Sequence, residues 1–282
     1  MREAGGGLAD AAASPGSVRD ALAHAVVRLR AVGCDTPRLD AELLLAEVLG
    51  CDRAWLVIDG RSELPADAAE RFGALIERRA AREPIAYILG RKEFRRISLG
   101  VDRRVLIPRP ETELLVEVGC SLPRGARVVD VGTGSGAVAL ALKDERPDLI
   151  VAGTDISDEA LAVARANASR LELDVRFACA DLLDDRAYDA VLANLPYVAA
   201  DAPGLAPEIS VYEPPAALYG GPDGLDLVRR LLSRVDRVSV VGLEVGFDQA
   251  GTVCELVADA GFTSVQRLRD LAGHERVVVG RR

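Results

Sequence analysis

From Ser17 onward apolar residues recur every three or four positions (Val18, Leu22, Val26, Leu29), the spacing that gives an α-helix one buried face. Ser17 and Asp20 are placed like a capping box at its start, and the helix is predicted to end near Gly33. Thr36 offers an N-cap for a second helix with Pro37 at its first position, and the apolar run to Leu49 stops at Gly50, a natural helix terminator. A further helix is predicted from about Pro65 to Ala81, with Glu70, Arg71, Glu77, Arg78 and Arg79 on a solvated face. Residues 17–83 therefore read as a small N-terminal helical domain, too short for an elaborate core of its own.

The pattern changes between Pro84 and Pro110. Phe94, Ile97, Leu99, Val101, Val105, Leu106 and Ile107, broken by Gly90 and Gly100, suggest a β-hairpin, so 84–110 is expected to be a hairpin linker. Residues 111–282 alternate short apolar runs with helical ones. Strands are predicted at Arg127–Val131, Ile150–Thr154, Val175–Cys179, Tyr188–Ala193, Val238–Glu244, Ser264–Arg269 and Glu275–Val279, with helices after Gly136 and Ser157 and from about Leu225 and Gln249. Such alternation is the mark of the α/β class, here a seven-stranded, mostly parallel, doubly wound Rossmann-like sheet.

Composition narrows the chemistry. A formal net charge of -9 is the wrong sign for holding nucleic acid through many phosphate contacts, so no stable nucleic-acid partner is expected. The five cysteines are scattered and never form a CxxC pair, and the two histidines, His24 and His274, give little support to a metal site or a His-based triad. No metal is expected, and a reducing cytoplasm is the simplest home. Residues 1–16 are Ala/Gly-rich without a continuous apolar stretch, which reads as a disordered tail rather than a signal peptide. No run reaches the roughly 18 apolar residues of a membrane span. Oligomeric state is not legible; a monomer is the default.

Asp130-Val131-Gly132-Thr133-Gly134-Ser135-Gly136-Ala137 follows the first predicted strand of the sheet and opens a helix, a turn that brings a ligand against a helix N-terminus. Gly132, Gly134 and Ala137 also satisfy the dinucleotide pattern GxGxxA. Asp130 argues against that, because a carboxylate there repels a pyrophosphate and suits an ammonium group such as that of S-adenosylmethionine. Asp155 ends the second strand about 20 residues past Gly132, where a nucleoside ribose offers its hydroxyls. Asp181 follows the third strand and is suited to accept from an adenine N6 while Leu182 packs on the ring.

Asn194-Leu195-Pro196-Tyr197 ends the fourth strand on the same sheet edge. The Asn194 side-chain oxygen and the Leu195 carbonyl could each accept one hydrogen of a planar NH2 group, with Tyr197 stacking on its face. Leu195 precedes Pro196 and is biased to an extended conformation that points its carbonyl outward. That grip fits an adenine N6, a cytosine N4 or a glutamine amide.

Together these residues resemble the class I methyltransferases of planar NH2 groups, and the flanking blocks resemble one family among them, the protein-(glutamine-N5) methyltransferases of peptide chain release factors. The match is carried by Pro84–Gly90 with Phe94, by Leu106-Ile107-Pro108-Arg109-Pro110-Glu111-Thr112-Glu113, by the glycine loop with Asp155 and Asn194–Tyr197, and by Glu213-Pro214-Pro215-Ala216-Ala217-Leu218 with Gly220-Gly221-Pro222-Asp223-Gly224-Leu225; Leu243-Glu244-Val245-Gly246 with Gln249 also fits. The resemblance implies that Gly132–Gly136 and Asp155 bind S-adenosylmethionine, beside Asp130, Asp181 and Leu182 as read above, and that Asn194 touches cofactor and substrate. It implies that Pro196 and Tyr197 shape a slot for the glutamine of a Gly-Gly-Gln loop, and that the helical domain docks the release factor. Leu195 departs from the family's usual Asn-Pro-Pro-Tyr toward the Asn-Leu-Pro-Tyr of rRNA adenine-N6 dimethyltransferases, which keeps a nucleic-acid amino methyltransferase as the rival, and a non-enzymatic cofactor-binding module as a third reading. Leu182 stands where the family often has an aromatic residue.

Overall fold

The computed structural model describes residues 16–282, and its contacts divide into two units that part between Leu89 and Gly90. The expected tail over 1–16 lies, apart from Gly16, outside the described residues.

The first unit is helical: α1 (Val18–Ala31), α2 (Pro37–Leu49), α3 (Arg53–Ile58), α4 (Ala66–Ala80) and α5 (Ile85–Leu89). Of the expected stripe of α1, Val18 and Leu29 are buried and Leu22 and Val26 partly so, and with them the core gathers Leu44, Leu45, Phe72 and Ile76. Ser17 caps α1 by accepting from the Asp20 N–H at 3.2 Å, and Gly50 closes α2 with a φ of 64°, a conformation that only glycine adopts without strain. Two expectations fail locally. The Thr36 hydroxyl donates to Asp40 Oδ1 at 2.8 Å instead of capping the α2 backbone. Arg79, expected on the solvated face of α4, is buried because its guanidinium meets the equally buried Asp40 at 2.7 Å, a pairing between helices that a reading of one helix cannot see.

The second unit opens with the antiparallel pair β1 (Arg91–Phe94) and β2 (Ile97–Gly100). The stretch 84–110 thus holds a short helix and a tighter hairpin than expected. Beyond it come a 3-10 turn at Pro110–Thr112, α6 (Glu113–Cys120), β3 (Arg127–Val131), α7 (Ala137–Glu145), β4 (Ile150–Asp155), α8 (Asp158–Leu171), β5 (Arg176–Cys179) and β6 (Ala190–Ala193). The chain then runs through α9 (Pro207–Ser210), a 3-10 turn at Pro215–Ala217, α10 (Asp226–Leu232), β7 (Val240–Glu244), α11 (Ala250–Asp259), β8 (Ser264–Arg269) and β9 (Glu275–Arg281). The seven-stranded sheet has the order β5-β4-β3-β6-β7-β9-β8; β3 to β7 pair in parallel, and β9 and β8 close it antiparallel.

This order is doubly wound. The chain steps outward from β3 through β4 to β5, then returns to lay β6 on the other side of β3, and the reversal opens a crevice at the carboxyl ends of those two strands. Val131 pairs with Ala193, so the glycine loop and Asn194 leave the sheet at the same level on either side of that crevice. Strands β3, β6 and β7 are buried on both faces, which is why their sequences are nearly unbroken apolar runs. The hairpin is tied to the sheet through Asn167 of α8. Its side chain accepts from the Gly100 N–H at 2.7 Å and donates to the carbonyls of Gly100 and Ser135, both at 3.0 Å.

Candidate functional site

The crevice holds a cavity of about 210 Å³ whose wall includes Gly132, Gly134, Asp155, Asp181, Leu182, Asn194, Leu195 and Pro196. Three turns after successive strands and the turn after β6 therefore converge on one space, as expected. Its wall also takes in residues that sequence patterns did not single out for the site: Ile156, Arg104, Val105, Leu106, Pro214, Ala216 and Ala217. The last four belong to motif blocks recognised by resemblance without an assigned contact.

The glycine loop is held from beneath. The N–H groups of Gly132 and Thr133 both donate to the Thr154 carbonyl at 2.9 Å, and that of Gly136 donates to the Thr133 carbonyl at 2.8 Å. Gly134 donates to Asp155 Oδ2 at 2.9 Å, while the Ser157 N–H donates to the other carboxylate oxygen, also at 2.9 Å. The N–H groups of Gly132, Thr133, Gly134 and Gly136 are thus committed within the chain, which weighs against their gripping a pyrophosphate.

Asp130 strengthens that conclusion in a way its sequence position did not suggest. Rather than facing the cavity, its carboxylate is buried and turned into the loop, accepting from the Thr133 hydroxyl at 2.6 Å and from the Ala139 N–H at 3.2 Å. The chain's own carboxyl group sits at the N-terminus of α7, where a ligand phosphate would go. Burial pushes this carboxyl up to about 7, against the lowering effect of its two hydrogen bonds. Thr133, Ser135 and Gly136 likewise shape the loop from behind and are not part of the cavity wall.

On the far side Asp181 lines the cavity and pairs with Arg230, while Arg234 donates to its carbonyl at 2.7 Å. Leu182 has a φ of 70°, a left-handed conformation that a branched side chain adopts at a cost of roughly 1–2 kcal/mol. Its carbonyl accepts from the Thr154 hydroxyl at 2.6 Å, which holds the strained residue against the cavity.

Asn194 donates through Nδ2 to the Thr112 hydroxyl at 3.1 Å. Tyr197, expected to stack on a substrate, is not part of the cavity wall; its carbonyl accepts from Gln249 Nε2 at 2.9 Å. Burial, assisted by nearby Glu244, pushes its phenol up to about 12, so it stays protonated in any physiological buffer. Behind this turn Glu213, buried, accepts from the Ile107 N–H and pairs with Arg109, tying two of the motif blocks together. Glu244 at the end of β7 is buried, and burial pushes it up to about 7.

The shift of Glu244 has a measurable consequence. Between pH 4.5 and about 7 the folded chain holds a proton here that the unfolded chain releases, so this group's contribution to stability declines as pH rises through that window. The shift corresponds to about 3 kcal/mol. Glu244→Gln cannot ionise, so its unfolding free energy relative to wild type should rise between pH 5 and pH 8 in urea titrations; a constant difference would show that Glu244 does not titrate there.

Fold and site together define a Rossmann-like methyltransferase. Two family models match the chain: the PrmC N-terminal domain over residues 20–90 and the methyltransferase small domain over residues 110–208. Among solved structures the catalytic domain of hMettl16 shares the fold, with a TM-score of 0.54 at 18% identity over 73% of this chain and 81% of that one. A methyltransferase from Pyrococcus furiosus does so with a TM-score of 0.50 at 18% identity over 65% and 87%. The release factor glutamine methyltransferase of Caulobacter vibrioides is 41% identical over 90% of this chain and 92% of its own length, and that of Deinococcus radiodurans is 40% identical over 94% and 98%. This chain belongs to the release factor glutamine methyltransferase family.

Proposed function

We propose that this protein transfers the methyl group of S-adenosylmethionine to the side-chain amide nitrogen, N5, of the glutamine in the Gly-Gly-Gln loop of peptide chain release factors. The observation that carries the proposal is the placement of Asn194 and Leu195 on the wall of the same cavity as Gly132, Asp155 and Leu182, so that an amide grip and a nucleoside site share one space.

The residues fit the cofactor. Two carboxylates, Asp155 and Asp181, flank a cavity that Ile156 and Leu182 make apolar, which suits a nucleoside that is cationic and carries no phosphate. Gly132, Gly134, Asp155, Ile156, Asp181 and Leu182 would hold it. When bound, the sulfonium supplies an electrophilic methyl group. The chain's own contribution is to the acceptor nitrogen. An amide nitrogen is a weak nucleophile because its lone pair is delocalised into the carbonyl. Acceptance of its two hydrogens by Asn194 Oδ1 and the Leu195 carbonyl draws density toward nitrogen and fixes its direction of approach, an effect that grows as positive charge develops on nitrogen. No general base is needed to start the step. Thr133, Ser135, Gly136 and Asp130 support the loop in this scheme, and Pro196 walls the slot beside Tyr197.

The domain plan implied is an N-terminal docking module over 17–83 and a catalytic domain over 111–282, acting in the cytoplasm where translation termination takes place. Incubation with labelled S-adenosylmethionine and either a release factor or ribosomal RNA tests the substrate. Label on the release factor, lost when its loop glutamine is replaced, is expected; label on the RNA alone would favour the adenine reading.

Asp155→Ala should weaken S-adenosylmethionine binding by a few kcal/mol at most, the scale of charge-assisted hydrogen bonds. Part of that loss is indirect, since Asp155 also holds the N–H groups of Gly134 and Ser157. Calorimetry measures it, and unchanged affinity would remove Asp155 from the cofactor site.

A further inference from the structure

We propose that Thr112 and Glu244 are positioning residues that decide which way round the Asn194 amide stands, so that its oxygen, and not its NH2, meets the substrate nitrogen. This rests on the amide-methylating reading above and deepens it.

A carboxamide is nearly symmetric in shape, and turning it by 180° about its last bond exchanges acceptor for donors. For a substrate NH2 only one presentation works: the reversed one sets donor against donor. Something must hold the useful orientation, and β6 and the residues following it supply no such contact to the side chain. The contact comes from two other elements. Thr112, at the end of the 3-10 turn Pro110–Thr112, accepts from Asn194 Nδ2 at 3.1 Å and is only 4% exposed. A hydroxyl has one proton. While its oxygen accepts from Asn194, that proton needs an acceptor of its own, and the side-chain partner of the Thr112 hydroxyl is Glu244. Above about pH 7, where Glu244 is ionised, its carboxylate can only accept, so the sequence of donors runs one way, from Asn194 to Thr112 to Glu244, and Asn194 Oδ1 is left for the cavity.

Glu244 itself is otherwise hard to account for. It ends the apolar strand Val240-Val241-Gly242-Leu243, is 3% exposed, and its Oε2 has no hydrogen-bond partner among the described residues. The charged groups facing it are Glu111 from the 3-10 turn, Arg276 from β9 and Arg109, with the Tyr197 phenol nearby. None of these makes a hydrogen bond to it in the way Thr112 does. A lone carboxylate in such a place opposes folding, and a leucine would fill it at lower cost. Its retained role is to orient the hydroxyl.

Wild type, Thr112→Val, Thr112→Ser and Glu244→Met are compared for kcat and KM with a release factor, and for S-adenosylmethionine affinity by calorimetry. Thr112→Val keeps the shape and removes the hydroxyl; it and Glu244→Met should lower kcat by about ten- to a hundredfold, the value of one oriented hydrogen bond. KM and cofactor affinity should hold, and Thr112→Ser should recover most of the rate. Wild-type kcat in Thr112→Val, a serine variant as slow as valine, or a loss confined to cofactor affinity would overturn the proposal. Neutron diffraction of the perdeuterated wild type gives a second answer that does not depend on the substrate. Amide deuterons of Asn194 facing Thr112 support the proposal, and deuterons facing the cavity overturn it. Failure of the wild type to label a release factor, with the deuterons on the Thr112 side, would overturn the substrate reading and leave the orientation standing.

Discussion

Asn194→Ala is expected to abolish methyl transfer while the protein still binds S-adenosylmethionine with near-normal affinity. On the proposed mechanism the substitution removes the side-chain acceptor that meets the amide nitrogen, and with it the constraint on the direction of that nitrogen. Loss of one preorganised hydrogen-bonding group at a reacting centre typically lowers a rate by 10² to 10³, and misorientation of the nucleophile adds to that. The cofactor should lose little, because the rest of its proposed site is built on other strands: Gly132 and Gly134 after β3, Asp155 at the end of β4, and Leu182 after β5. Calorimetry and single-turnover labelling with a release factor separate the two effects. Turnover at the wild-type rate would remove Asn194 from the mechanism. A parallel collapse of cofactor affinity would recast it as part of the nucleoside site alone.

Gly220→Ala should damage the site almost as much, although Gly220 is not part of the cavity wall. The backbone around it runs alongside the Asn194–Tyr197 turn: Val198 N–H donates to the Leu218 carbonyl and Gly220 N–H returns the bond to the Val198 carbonyl, both at 2.9 Å. A Cβ on Gly220 would stand 2.2 Å from the Pro196 carbonyl oxygen and 2.5 Å from that of Gly224. Both obstacles are backbone atoms, so neither can swing aside. The turn must move, and a displacement of about 1 Å at a reacting centre can cost on the order of a hundredfold in rate. Overpacking of this kind also destabilises by about 1–3 kcal/mol. The expected result is a folded protein with a lowered unfolding midpoint and a kcat reduced by about two orders of magnitude. Near-wild-type kcat would mean that the turn tolerates the shift, and that its position is set elsewhere.

The Gly-Gly-Pro-Asp-Gly block illustrates how a motif can be legible before its reason is. Its glycines stood out in the sequence as a family mark with no assigned contact. In the structure Gly220 and Gly224 lie against the carbonyls of Pro196 and Tyr197, leaving no room for a side chain. The same holds for Pro-Arg-Pro-Glu-Thr: Arg109 braces Glu213 across the second unit, and Thr112 receives Asn194. Asp130 went the other way. Near the end of β3 it was expected to meet the ligand, but its carboxylate turns into the loop, because whether a carboxylate faces a cavity or the helix behind it depends on where Thr133 and the Ala139 N–H lie.

By itself the sequence determined the alternation of elements, the seven strands of the sheet and the chain positions that reach its carboxyl edge, while the family showed in the resemblance of its motif blocks. The elements follow from hydrophobic period and from residue types local to each turn, which survive without knowledge of what packs against them. Tertiary structure alone decided which polar groups face one another: that the loop's N–H groups are committed to Thr154 and Asp155, that Arg79 is buried on Asp40, and that Thr112 and Glu244, 132 positions apart in the chain numbering, meet behind Asn194. The reason is physical. A hydrogen bond depends on distances of about 3 Å and on direction, and no periodicity in a chain encodes either between elements brought together only by folding.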